Sequence, residues 1–177
     1  MEAAGGRSPP EGSILEPDAE PSLFPSRDFR ITSAHRIGEG SLAQKARDNI
    51  AAIRCLKKLE GENRDATDEE KAILARYAGW GAMSAAFDWH PPAEWKHTAQ
   101  ELKELLTPEE YEAARASTPN AHFTSPLVIR AIWETMGRMG LPKGSEVLEP
   151  AMGVGHFLGM MPEALAQGSH RRRRPVP

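Results

Sequence analysis

Apolar residues recur at three- and four-residue steps over residues 41–60, where Leu42, Ala46, Ile50, Ile53, Leu56 and Leu59 form one stripe of an amphipathic helix. Ser41 is placed to cap that helix and Gly61 to stop it. Thr67 followed three residues later by Glu70 forms a capping box, which predicts a second helix from Asp68 to about Ala78. That pattern ends in Gly79, Trp80 and Gly81, and an irregular aromatic connector follows, with Phe87, Trp89 and Trp95 around Pro91 and Pro92. A short helix over 98–106 turns Leu102, Leu105 and Leu106 inward. Thr107, Pro108 and Glu110 then repeat the capping box, with proline where its missing N–H costs nothing, and predict a helix to about Ala116. Thr124 and Ser125 directly before Pro126 open the next helix, whose inward face is predicted to be Val128, Ile132, Met136 and Met139, widened by Ile129 and Trp133. Beyond a break at 140–144, Val147 and Leu148 predict a short buried strand ended by Glu149 and Pro150. Gly153 and Gly155 mark a tight turn, and Phe157 and Leu158 start a helix containing Met160, Met161 and Leu165. The expected fold is mainly α, with a single strand-turn-helix that begins an α/β, Rossmann-like sheet and leaves it incomplete.

Composition changes this picture little. The 177 residues are 40% hydrophobic with mean hydropathy -0.52, which suits one domain with disordered ends. Residues 1–40, rich in glycine and proline, read as a disordered leader in which Phe24 and Phe29 are lone aromatics; 41–119 form a helical region; 120–166 hold the start of the α/β domain; 167–177 form a disordered basic tail. No apolar run reaches the ~18 residues that span a bilayer, so a cytoplasmic location without membrane contact is expected. Cys55 stands alone, which argues against a disulfide framework and a zinc site, and His90 and His97 have no acid or cysteine to complete a metal-ligand set.

Charge confines any nucleic-acid contact to local patches, because the net charge is -3 and the pI about 6.1. The candidates are Lys57 and Lys58, on a basic face shared with Lys45, Arg47 and Arg54, and the run Arg171, Arg172, Arg173, Arg174. A solvated helix face and a tail read past a frameshift are the plain alternatives. Trp80 either stacks on a base or plugs a helix-end corner.

The turn at 149–155 carries the most chemistry. A strand ending in an acid, then closely spaced glycines, then a helix lets the backbone approach a phosphate or cofactor closely. The free N–H groups of the helix beginning near Thr124 make it a candidate carboxylate seat. Gly153, Gly155 and Gly159 also suit a dinucleotide-binding turn, but Glu149 and Pro150 at the strand end oppose that reading, and the acid expected about twenty residues on is missing.

Residues 122–136, HFTSPLVIRAIWETM, and 147–158, VLEPAMGVGHFL, together resemble the opening motif pair of S-adenosylmethionine-dependent adenine-N6 DNA methyltransferases. More closely, residues 47–162 resemble the segment that leads into the methylase domain of the methylase and Swi/Snf-type helicase fusions carried by plasmids and other mobile elements, through RDNIAAIRCLKKLE, ARYAGWGAMSAAFD and LLTPEEYEAARASTPNAHFTSP. The resemblance implies that Glu149 binds the ammonium of the cofactor's methionine portion and that the adjoining Pro150 belongs to the same cofactor seat. It also implies that Gly153 and Gly155 form the close turn, that Phe157 fixes turn to helix, and that Thr124 with its helix holds the methionine carboxylate. The family's ribose-binding acid, its catalytic Asn-Pro-Pro-aromatic loop and a helicase phosphate loop do not occur in these residues, so no catalytic residue is assigned. The chain is thus expected to be a truncated methyltransferase, not catalytic alone, with DNA as the parent family's partner and a second chain as a means of completing the sheet. The alternative is a non-catalytic helical DNA- or partner-binding protein.

Overall fold

The computed structural model describes residues 29–142 and 145–166; the basic run at Arg171–174, Phe24 and the rest of the termini lie outside the described residues. Ser41 accepts a hydrogen bond from Gln44 N–H and opens the longest helix, α1 (Leu42–Glu62). Its buried side is Ala46, Asn49, Ile50, Ala52, Cys55 and Leu59. The helix runs through Gly61 rather than stopping there. It ends at Asn63, which adopts the left-handed conformation (φ 47°) and, with Arg64, satisfies the carbonyls of Glu60 and Leu59. A glycine inside a helix costs about 1 kcal/mol, and an asparagine two residues on supplies the better end.

Both capping boxes form as predicted, at Thr67 for α2 (Asp68–Ala75) and at Thr107 for α4 (Pro108–Ser117). Between them a 3-10 turn (Ala93–Trp95) leads into α3 (Lys96–Leu105). Helix α2 stops at Ala75, three residues short of the expected end, for a tertiary reason. The buried Asn49 side chain takes the Ala78 N–H at 2.7 Å and donates to the Gly79 carbonyl at 2.7 Å, so those backbone groups are bound by α1 and not by a further helical turn. Trp80, Met83, Ala86, Phe87 and Leu102 pack with Ala46 and Ile50 into the main core, and Trp80 is the helix-end plug that its flanking glycines suggested.

Two expectations from the C-terminal third are corrected. Helix α5 (Pro126–Arg138) buries Ile129 and Trp133, whereas Val128, Ile132 and Met139 of the predicted inward face are exposed and only Met136 is half-buried. The helix shares its cluster with Leu141, Val147 and the segment from Phe157 to Leu165, which cover a stripe around Ile129 and Trp133 and leave the rest of a wide apolar face bare. Secondly, Val147 and Leu148 form no strand, and none occurs among the described residues. A strand exists through its ladder, and no neighbouring strand is there to pair with. The side chains still alternate, Val147 and Glu149 half-buried and Leu148 88% exposed. The fold is therefore mainly helical, with no Rossmann-like sheet among the described residues.

The segment after the turn comprises two short helices, α6 (His156–Gly159) and α7 (Glu163–Ala166). Residues 29–31, within the predicted leader, lie against it. Ile31 N–H donates to the Gly159 carbonyl at 2.8 Å, the Arg30 guanidinium donates to the Met161 carbonyl, and Ile37 is buried.

Candidate functional site

A groove of about 1230 Å³ separates the helical region from residues 147–161. One wall is Ile53, Leu56, Leu74, Tyr77 and Ala114; the other is Val147, Glu149, Met152, Val154, Gly155 and Leu158. Glu149 lies on this wall half-buried, and its Oε1 accepts from the Ala151 N–H at 2.9 Å, which folds the carboxylate over the start of the turn. Gly155 N–H closes the turn onto the Met152 carbonyl at 2.8 Å. Gly153 (φ 53°) and Gly155 (φ 82°) both occupy the left-handed region, where side chains are strained, as the glycine spacing required.

The six predicted cofactor residues do not share one surface. Glu149 and Gly155 line the groove; Thr124, Pro150, Gly153 and Phe157 do not. Ser125, not Thr124, caps α5 by accepting from Val128 N–H at 3.4 Å, and Thr124 is exposed just outside the helix. Phe157 stacks at a tilt on Trp133, 4.7 Å between ring centroids, and its carbonyl accepts the Trp133 indole N–H at 3.0 Å. It thus fixes α6 to α5.

The motifs do meet, through two residues that pattern reading passed over. Phe123 lies with its ring against Gly153, and His156 reaches back to the helical region, where its Nε2 hydrogen-bonds the Ala75 carbonyl at 2.8 Å. Both contacts span long sequence separations, which is why periodicity does not reveal them. The available signal was compositional: two glycines around Trp80 imply close backbone approach, and the Gly81 side of that turn is met by the Ala121 carbonyl and the His122 ring.

Burial of His156 lowers its imidazole pKa, and the bond to Ala75 only partly offsets this. The unfolded imidazole, with an ordinary pKa of about 6.5, binds protons that the folded one resists. The unfolded state therefore gains protons as pH falls through about 6.5, and folding stability declines until the depressed folded pKa is passed. Thermal midpoints measured between pH 8 and pH 5 should fall less steeply in His156→Gln, which keeps an N–H donor and does not titrate. Equal slopes would show that another group sets the pH dependence.

Three of the five cations on the basic face of α1 are paired within the chain. Lys57 pairs with Glu110 at 2.8 Å, Lys58 with Glu70 at 3.4 Å and Arg54 with Glu101 at 2.6 Å. Arg64 also grips Glu70, and the two cations together with the Thr67 N–H hold its carboxyl far below the usual carboxylate range. Among the described residues no three His, Cys, Asp or Glu side chains converge as a metal site, and no helix is long and apolar enough to cross a membrane. Comparison of the chain with family models, curated proteins and solved structures returned no match.

Proposed function

We propose that residues 120–166 form part of a seat for a small cofactor with an adenosyl and an amino-acid end, of the kind that class I methyltransferases bind. In particular, we infer that the cofactor is S-adenosylmethionine and that the chain is a cytoplasmic portion of an adenine-N6 DNA methyltransferase of the methylase and helicase fusion type. The observation supporting this reading is the juxtaposition of the two resembling stretches: the residue before Thr124 rests on Gly153 of the glycine turn. Glu149 suits the ammonium end of such a cofactor. It is half-buried on a groove wall, no cation is paired with it among the described residues, and a charge-assisted hydrogen bond contributes about 1.5–3 kcal/mol.

The groove exceeds the usual size of a small-molecule pocket. Ligand pockets are typically about 300–1,000 Å³, so a cofactor at Glu149 leaves the remaining space to other polypeptide. Leu148, 88% exposed beside the groove-lining Val147, and the bare face of α5 suit a sheet packed on both sides. We therefore read the chain as non-catalytic alone and completed by strands supplied by a second chain or by further sequence. DNA is the partner of the completed assembly. Lys57 and Lys58 contribute little to that contact while their acids hold them, since a paired lysine releases few counterions from a phosphate backbone.

Titration calorimetry with S-adenosylmethionine tests the seat. Binding is expected, and Glu149→Ala should weaken it by about tenfold to a hundredfold, the equivalent of one charge-assisted hydrogen bond. Absence of binding heat, or equal affinity in the variant, would overturn the assignment.

A further inference from the structure

We propose that Phe123 is a positioning residue for the glycine turn, and that the helical region sets the shape of that turn through it; the inference rests on reading the turn as a cofactor seat. A side-chain carbon added at Gly153 would lie 3.0 Å from Phe123 Cε1, and one added at Gly79 would lie 2.6 Å from Cε2. The two edges of one ring are therefore in direct contact with two glycine backbones, both at positive φ, from segments more than seventy residues apart in sequence. The nearest atoms to that position at Gly153, its chain neighbours aside, are two carbons of the Phe123 ring, followed by the turn's own Ala151 carbonyl at 4.0 Å. Tyr77 and His156 approach the ring edge-on at 6.2 and 6.0 Å, and His156 is itself tied to α2 through the Ala75 carbonyl.

Phe123 remains 36% exposed and belongs to neither core cluster. An aromatic ring so placed adds less burial than a core residue, and what it does is fill the gap between two backbones at a fixed separation. Without it, the turn retains its own bonds, Gly155 N–H to Met152 and Ala151 N–H to Glu149, and the anchors that follow it in α6, Gly159 N–H to the Gly155 carbonyl and His156 to Ala75, while the Gly153 side loses its ring contact. A turn that populates the binding geometry for a fraction of the time binds more weakly by that fraction.

Hydrogen exchange of the Ala151 and Gly155 amides reads the turn without any ligand, and calorimetry with S-adenosylmethionine reads the seat. In the full chain, Phe123→Ala should speed exchange at those two amides by about tenfold and weaken cofactor binding by a similar factor, with α1 amides unchanged. Phe123→Tyr should restore both. Gly79→Ala, which presses on the ring and also strains a backbone at φ 73° beside the Ala121 carbonyl, should speed exchange as well, and the part of its effect specific to Ala151 and Gly155 should vanish in a Phe123→Ala background. If Phe123→Ala does not fold, Phe123→Leu serves, since it keeps apolar bulk but loses the flat edge. Unchanged exchange at Ala151 and Gly155, or an equal rise throughout α1, overturns the positioning role. If the wild-type chain binds no S-adenosylmethionine yet the exchange coupling holds, the cofactor reading fails and the positioning role stands. If the cofactor binds and Phe123→Ala changes neither readout, the reverse follows.

Discussion

Trp80→Ala is expected to lower unfolding stability by about 3–5 kcal/mol, the range for deleting a large buried aromatic side chain. Among the described residues no other side chain of this size is so completely enclosed: Trp80 is 0% exposed, meets Phe87 edge-on at 5.4 Å, and packs with Met83, Ala86, Leu102 and the α1 residues Ala46 and Ile50. The flanking turn cannot collapse into the void, because Gly81 is already pressed against the Ala121 carbonyl and the His122 ring. Trp80→Phe separates volume from polarity. The indole N–H makes no hydrogen bond of normal geometry, and its pull on the Tyr77 phenol is smaller than the burial that raises that group's pKa. Loss of the N–H therefore strands no partner, and the cost should be the smaller cavity alone, about 1–2 kcal/mol. Urea unfolding followed by circular dichroism measures both. A phenylalanine variant as unstable as the alanine one would mean that the indole N–H has a partner.

How far the fold was legible in the sequence depended on the range of the interactions involved. The boxes at Thr67 and Thr107 each close within four residues, so their spacing alone located two helix starts. The end of α2 was not legible, because Asn49 lies about thirty residues away and competes for the same backbone groups. The face of α5 was misjudged because Val128, Ile132 and Met139 are periodic but the residues that pack with α5, from Val147 to Leu165, gather around Ile129 and Trp133. A wide apolar stripe states what a helix can bury, and the partner decides what it does bury. Val147 and Leu148 failed as a strand for the same reason, since pairing needs a second segment.

The candidate site divides along the same line. The turn geometry at Glu149, Gly153 and Gly155 was legible because an acid followed by closely spaced glycines at positive φ is encoded locally. Phe123 and His156 were not, since each works on backbone far along the chain. Thr124 stood out by motif, yet its neighbours on either side do the visible work: Ser125 caps the helix and Phe123 contacts the turn.

Asn49→Ala is expected to cost about 2–4 kcal/mol, although it removes only a small polar side chain. Asn49 is 0% exposed and makes two hydrogen bonds at 2.7 Å, donating to the Gly79 carbonyl and accepting from the Ala78 N–H. Alanine leaves both backbone groups without a partner, Gly79 in buried and Ala78 in half-buried surroundings. Asn49→Asp tests the donor alone. The carboxylate still accepts from Ala78, but it sets a charge against the Gly79 carbonyl oxygen and must be desolvated, which raises its pKa above the ordinary value near 3.9. The unfolded aspartate then loses its proton before the folded one, so the variant loses stability as pH rises from about 4. Urea midpoints should therefore separate Asn49→Asp from wild type more at pH 7 than at pH 5, whereas the Asn49→Ala deficit should be nearly the same at both. The consequence reaches the groove, because Gly79 is held on its carbonyl by Asn49 and pressed on its α-carbon by Phe123. If that linkage is real, Asn49→Ala should speed exchange at Gly155 beyond what its global destabilisation accounts for; exchange matching the global loss would confine Asn49 to the core.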